Sequence, residues 1–275
     1  MMSNERIAII GGGNLGSAIA RGLVAAGLRT PSAITITRRS ESPLEPFRDA
    51  GFDTTTDNVL AVRGASLVIV AVRPKQMNGV LERIAPELDA ERQILISTAT
   101  DVRIDDMRTH VGNDLPVLRA MPNIGVAVGE SMTCLACEPA TPEMAKATAT
   151  KIFSALGTTA FIAEDQMTPA TALCACGIAF FLRAIRAASQ GGVQVGFHAD
   201  EAIRLAAQTA KGAAALILEK ASHPESLIDT VTTPLGVTIA GLNEMEHRGF
   251  SSALIRGIVE SAERAQQLYA DKTDA

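Results

Sequence analysis

The sequence predicts an α/β protein, with a doubly wound sheet over residues 1–163 and an all-α domain over residues 164–275. Three observations carry that expectation. Up to residue 163, short β-rich runs alternate with helical patterns, as in a parallel sheet covered by helices on both faces. The strand candidates are near-continuous apolar runs, the composition of strands buried on both sides. From residue 164 onward no convincing strand follows, and long stretches rich in Ala and Leu take over.

The expected strands are "RIAII" (6–10), "AITIT" (33–37), "FDTTT" (52–56), "SLVIVAV" (66–72), "QILIS" (93–97), "PVLRAM" (116–121), "SMTCLAC" (131–137) and "TTAFI" (158–162). Helical segments fall near 14–27, 42–50, 57–63, 74–88, 102–110 and 142–155. In the second domain, Thr168 is the expected N-cap of a helix that carries Pro169 in its first turn and stops at Gly191-Gly192. Asp200 and Ser251 are the expected caps of two further helices, and the last five residues are expected to fray. Small apolar residues at Ala202, Ala206, Ala210 and Ala213 let helix axes approach closely. These apolar helices are therefore expected to pair with another chain.

The chain has 275 residues, 47% hydrophobic and 20% charged, with a formal charge of −5. Net negative charge argues against nucleic acid or anionic membrane as partner. With no Trp and one Tyr, base stacking has little to work with. The start "MMSNERIAIIGGG" runs straight into a strand with no long apolar h-region, and "LVIVAV" at 67–72 is too short to span a bilayer. A soluble cytoplasmic protein is the expectation. No His lies near Cys134/Cys137 or Cys174/Cys176, Asp and Glu are absent from the segments "TCLAC" and "TALCACGIAFF", and the second pair has the wrong spacing for a zinc knuckle, so all four read as core thiols and no metal site is expected.

"IAIIGGGNLGSAIARGL" is the most informative stretch. Gly11-x-Gly13-x-x-Gly16 follows a strand and opens a helix, the context a dinucleotide fingerprint needs. Gly11 permits the turn, Gly13 lets backbone approach a pyrophosphate, and Gly16 lets helix and strand pack closely. Asn14 and Leu15 lie at the helix N-terminus, which presents N–H groups to phosphate. At the end of the second strand stand Thr37, Arg38, Arg39 and Ser40, with no carboxylate until Glu41. Two guanidiniums and a hydroxyl suit a 2′-phosphate, so the expected cofactor is NADPH. Ala71, Val72, Arg73 and Pro74 end the fourth strand and Ala99 follows the fifth, where a doubly wound sheet places cofactor walls. Asn58 either reaches the adenosine side or caps a helix.

Together "GGGNLGSAI", "TRR", "AVRPKQ", "RAMPN" and "VTTPLGVTIAGL" resemble the pyrroline-5-carboxylate reductase family over essentially the whole chain. The resemblance implies an NADP-binding Rossmann domain (1–163) and a helical substrate and dimerisation domain (164–275), whose dimers interlock. It implies NADPH-dependent reduction of a cyclic imine, foremost 1-pyrroline-5-carboxylate to L-proline. Thr238 is then the catalytic hydroxyl nearest the imine nitrogen. Met121 and Asn123 line the nicotinamide side, and Gly236, Val237 and Thr238 hold the substrate where a loop enters a helix.

The chain also departs from the family pattern. Cys174-Ala175-Cys176-Gly177-Ile178 replaces Ser-Gly-Ser-Gly-Pro, Thr168 replaces Asp, and Ala221 an acidic residue. In the Thr-Pro loop, Leu235 replaces a Gly and Val237 a small residue, and Ile124-Gly125 replaces Thr-Pro after "MPN". All lie on the substrate side, which predicts a more apolar pocket and, at Leu235, a different loop path. Reduction of another cyclic imine or ketimine is therefore the alternative, followed by an NADPH-binding sensor without turnover. A β-hydroxyacid dehydrogenase would need a Lys between Thr168 and Gly191, where there is none. A cysteine-redox protein is disfavoured, because no helix N-terminus or basic neighbour is evident to lower a thiol pKa.

Overall fold

In the computed structural model, which describes residues 5–270, all eight strand candidates extend. They are β1 (Ile7–Ile10), β2 (Ile34–Thr37), β3 (Asp53–Thr55), β4 (Leu67–Val70), β5 (Ile94–Ser97), β6 (Val117–Met121), β7 (Ser131–Cys137) and β8 (Gly157–Phe161). They form one sheet in the order β3-β2-β1-β4-β5-β6-β7-β8. The last five residues, expected to fray, lie outside the described ones.

The helices between them are α1 (Asn14–Ala25), α2 (Glu45–Asp49), α3 (Asn58–Val62), α4 (Pro74–Ile84), α5 (Ile104–Val111) and α6 (Glu143–Ser154). Alternate strand residues serve opposite faces of the sheet. Ile7, Ile9 and Ile69 pack with Ile19 and Leu23 of α1 and Phe153 of α6. Ala8, Ile10, Val68 and Val70 pack with Met77 and Leu81 of α4 and Met107 of α5. This two-sided burial is why β1 and β4 are apolar at every position.

One strand departs from the expected parallel sheet: β7 runs antiparallel to β6, with Met121 opposite Cys134. The connection of residues 122–130 is too short for a crossover, which takes a dozen or more residues, so the chain turns back on itself. Parallel pairing resumes between β7 and β8, joined through α6.

Beyond β8 a 3₁₀ turn (Glu164–Gln166) leads through α7 (Met167–Ala170) and a π-helical turn (Thr171–Cys176) into α8 (Gly177–Gln194). Helix α9 (Ala199–Lys220), α10 (Pro224–Asp229), α11 (Val237–His247) and α12 (Phe250–Ala270) follow. The chain divides into two units, one running through Ala175 and including the end of α12 from Arg264, the other spanning Cys176–Glu263.

Several expected helix ends shift. Thr168 lies inside α7, capped instead at Gln166, because the 3₁₀ turn already starts the helical path. Asp200 sits in the first turn of α9, whose cap is His198, and Ser251 in the first turn of α12. Gly191-Gly192 does not stop α8. A Cβ on Gly192 would lie 3.1 Å from Cβ of Ala202, so this glycine serves the close crossing of α8 and α9. The stop falls to Gly196, whose φ of +114° ends the helix.

The helical run Glu164–Gln194 is long and apolar enough to cross a bilayer by length and composition, which the short-run test on "LVIVAV" did not reveal. Phe181 and Leu182 on it, Leu216, Ile217 and Leu218 on α9, and Ile255 on α12 are all exposed. Large apolar side chains left exposed on several helices are what an interface covers.

Candidate active site

Parallel pairing brings the carboxyl ends of β1, β2, β4 and β5 to one edge, and the strand order reverses between β1 and β4. Open α/β sheets bind ligands at that point. The glycine turn occupies it. Gly11 has φ +104°, and a Cβ there would meet the Ala71 carbonyl oxygen at 2.6 Å. A Cβ on Gly16 would lie 2.2 Å from the Gly11 oxygen. Both glycines are required by the protein's own backbone. Gly13 differs: a Cβ there would meet only Nη1 of Arg38, at 3.7 Å. The space over Gly13, beside the uncapped N-terminus of α1 with Asn14 and Leu15, can hold a pyrophosphate.

The turn is fastened to β2. Gly12 N donates to the Thr37 carbonyl at 2.7 Å and Gly11 N to Thr37 Oγ1 at 3.2 Å. Arg38 Nη1 and Ser17 Oγ both donate to the Gly12 carbonyl, at 2.8 and 2.9 Å. Arg38 therefore lies against the turn, and Arg39 and Ser40 follow it exposed. The first carboxylate, Glu41, accepts from Arg48 at 2.7 Å. Thr37 was named from sequence only as part of the run that ends β2, and Ser17 not at all, because a hydroxyl in a helix first turn carries no distinct signal.

The other residues expected at the cofactor are placed as follows. Asn58 opens α3, but its cap is Asp57, whose Oδ1 accepts from Val59 N and Leu60 N. Ala71 and Val72 are half-buried beside Gly11, Arg73 is exposed, and Pro74 opens α4. Ala99 is buried, its N–H donating to Ser97 Oγ at 3.2 Å. Arg119, also missed from sequence, is buried and pairs with Glu164 at 3.0 Å. It donates to the Thr100 carbonyl at 2.7 Å as well, while Glu164 accepts from Ile104 N, so the two brace the loop after β5.

Met121 and Asn123 lie together at the end of β6. Met121 is buried, and its sulfur accepts from Thr171 Oγ1 at 3.7 Å. The Asn123 side chain is committed within the protein: Oδ1 accepts from Gly125 N at 2.8 Å and Nδ2 donates to the Cys174 carbonyl at 3.3 Å. Cys134 is buried, whereas Cys137, Cys174 and Cys176 are half-buried rather than core. Cys134 and Cys137 are three apart on β7 and so face opposite sides of the sheet.

Gly236, Val237 and Thr238 belong to the second unit. Gly236 caps α11, so Thr238 is its second residue and not the cap. Gly236 N donates to the Thr233 carbonyl at 2.9 Å, closing a turn with Pro234 second and Leu235 third. A turn with a positive φ in third place favours glycine there. Leu235 nevertheless adopts φ +60°, so the altered loop path expected at this residue does not occur at its φ. Leu235 and Val237 are almost entirely exposed, at 104% and 91%, and Thr238 is exposed. Ala221 also has a positive φ, +47°, at the end of α9.

A glycine turn at a sheet switch point, an arginine folded over it, and a following set of apolar helices define a dinucleotide-binding oxidoreductase with a helical association domain. Comparison with known proteins narrows the class. Residues 6–101 match the family model for NADP oxidoreductase, coenzyme F420-dependent, and residues 164–268 match pyrroline-5-carboxylate reductase dimerisation. Pyrroline-5-carboxylate reductase 2 of Dictyostelium discoideum is 45% identical, over 98% of this chain and 95% of the relative. Pyrroline-5-carboxylate reductase 1 of the same organism is 50% identical over 97% of this chain, which spans only 50% of that relative's length. The solved structure of a pyrroline-5-carboxylate reductase from Coxiella burnetii superposes with a TM-score of 0.88 at 30% identity, covering 97% of this chain and 99% of that one. The chain belongs to the pyrroline-5-carboxylate reductase family.

Proposed function

We propose that this chain, as a homo-oligomer built from at least a dimer, reduces 1-pyrroline-5-carboxylate to L-proline with NADPH. The observation that carries the reading is the presence in one chain of an intact glycine turn, closed by Arg38 with Arg39 exposed next to it, and of helices that match this family's dimerisation model. NADPH, when bound, supplies a hydride to the imine carbon, and a proton on nitrogen completes the amine. The chain's part is mostly placement, since a protonated imine is already electrophilic. Gly11, Gly13 and Gly16 make room for the pyrophosphate, and Arg38, Arg39 and Ser40 meet the 2′-phosphate. Ala71, Val72, Arg73, Pro74 and Ala99 line the cofactor, with Asn58 toward the adenosine.

On the substrate side, the N–H groups of Val237 and Thr238 at the start of α11 suit an anionic carboxylate. Thr238 Oγ1 donates or relays the proton. Asn123 and Met121 act as supports, because their polar atoms are already engaged. In this reading residues 1–163 bind the cofactor, residues 164–275 bind substrate and partner chain, and the protein works in the cytoplasm. The exposed apolar face of the run 164–194 then meets a second copy rather than lipid.

The exposed Leu235 and Val237 favour a second reading, a bulkier or larger-ring cyclic imine. One assay decides. NADPH oxidation is followed with pyrroline-5-carboxylate, with piperideine carboxylate and with bulkier imines. Turnover of the five-membered carboxylate at the highest kcat/KM is expected, and its absence beside turnover of another imine moves the assignment to that substrate.

A further inference from the structure

Beneath Asn123 and Met121 lies a pair of thiols that the proposed reaction does not use. Cys134 stands on β7 opposite Met121 and is buried, whereas Cys174 stands on the π-helical turn Thr171–Cys176 and is half-buried. Their sulfurs lie 3.9 Å apart. Met121, Ala136 and Met167 belong to the same apolar cluster, so the pair sits among apolar side chains. A hydrogen bond from the Cys134 thiol favours the Cys174 thiolate and lowers its pKa to about 7 against the cost of burial. That same bond, and then burial, raise Cys134. One thiol is thus nucleophilic and reachable, the other protonated and behind it. Pi-turns within helices occur frequently at functional sites.

We propose that Cys134 and Cys174 form a redox-active pair, oxidised by hydrogen peroxide to a disulfide that pins the π-helical turn against β7. The Cys174 thiolate attacks the peroxide O–O bond and takes one oxygen as a sulfenic acid, and the other oxygen leaves as hydroxide and is protonated to water. The Cys134 thiol then attacks the Cys174 sulfur. The S–S bond forms, the S–O bond breaks, and the hydroxyl leaves with the thiol proton as a second water. Two thiols are oxidised and one peroxide is reduced, and an external thiol reductant reverses the change.

Bond formation draws the sulfurs about 1.9 Å closer than they now lie, to the ~2.05 Å of a disulfide. Asn123 holds the Cys174 carbonyl, so a shift of the Cys174 backbone passes to the end of β6. Close-packed interiors transmit such strain. A loss of turnover on oxidation further rests on the reading of Asn123 and Met121 as supports of the active site, and the covalent linkage does not.

The full-length protein, reduced and loaded with NADP+, is treated with hydrogen peroxide, alkylated, digested without reductant and sequenced by tandem mass spectrometry. A cross-linked peptide joining Cys134 to Cys174 is expected, abolished by dithiothreitol. Alongside it kcat/KM falls about 100-fold and recovers on reduction, the penalty for displacing site groups by ~1 Å. In Cys134→Ala, with Cys134→Ser in reserve should the first fold poorly, oxidation stops at a Cys174 sulfenic acid that dimedone traps. Over-oxidation of Cys174 without linkage in the unmodified chain, or linkage through Cys137 or Cys176 instead, overturns the pair. Linkage with unchanged kcat/KM in an active enzyme overturns the pinning. If no imine is turned over, the mass spectrum alone still decides the chemistry.

Discussion

Arg38 donates from Nη1 to the carbonyl oxygen of Gly12 at 2.8 Å, so the first residue after β2 is fastened to the turn that ends β1. The charge that would greet a 2′-phosphate is thereby already positioned, at little further entropic cost on binding. No carboxylate competes, since Glu41 is engaged by Arg48.

Replacing Arg38 and Arg39 together by Ala should weaken NADPH binding about 100-fold, roughly 3 kcal/mol for two charge-assisted contacts. NADH binding should change by much less. Fluorescence titration with both coenzymes measures the ratio, and an unchanged preference would exclude these arginines as the phosphate site.

Gly13 and Gly16 should respond differently to the same added methyl. In Gly16→Ala the new Cβ lands 2.2 Å from the Gly11 oxygen, so the turn must deform. A stability loss of about 2 kcal/mol or more is expected. In Gly13→Ala the methyl meets nothing closer than 3.7 Å, so the fold should keep its Tm while NADPH affinity drops. Thermal melts with and without coenzyme separate the two cases.

Leu235→Gly should relieve a left-handed backbone at an exposed position. Left-handed φ costs a non-glycine residue about 1 kcal/mol, partly offset by the greater freedom of glycine in the unfolded chain. Chemical denaturation should show a gain of up to about 0.5 kcal/mol, and kcat/KM for the smallest imine should not fall. A stability loss above that magnitude would mean that the Leu235 side chain makes a contact in the assembled protein.

Glu164→Gln removes the charge facing Arg119, whose side chain is 5% exposed. Leaving a buried guanidinium without its counter-charge costs about 3 kcal/mol. Urea unfolding should register that loss, and hydrogen exchange at Ile104 should accelerate, because its amide now donates to Glu164 at 2.7 Å.

Much of the fold was legible along the chain. Apolar runs bounded by turn residues marked the central strands β1, β4, β5 and β6, because burial on both faces leaves its trace at each position, whereas the half-buried β3 and β8 showed only Thr-rich β propensity. The glycine turn was equally plain, since Gly11 and Gly16 answer to local backbone geometry. Helix ends were less so. Thr168, Asp200 and Ser251 have good capping chemistry, yet the chain entered each helix a step earlier, and Gly192 served a helix crossing rather than a stop.

The sequence by itself determined the nucleotide turn, the family and the apolar helices, because these rest on contacts between residues near in the chain or on periodic burial. Tertiary structure alone decided the reversal of β7, the bracing of the β5 loop by Arg119 and Glu164, and the meeting of Cys134 with Cys174. Each depends on residues tens of positions apart brought side by side, and nothing in local spacing encodes such a meeting.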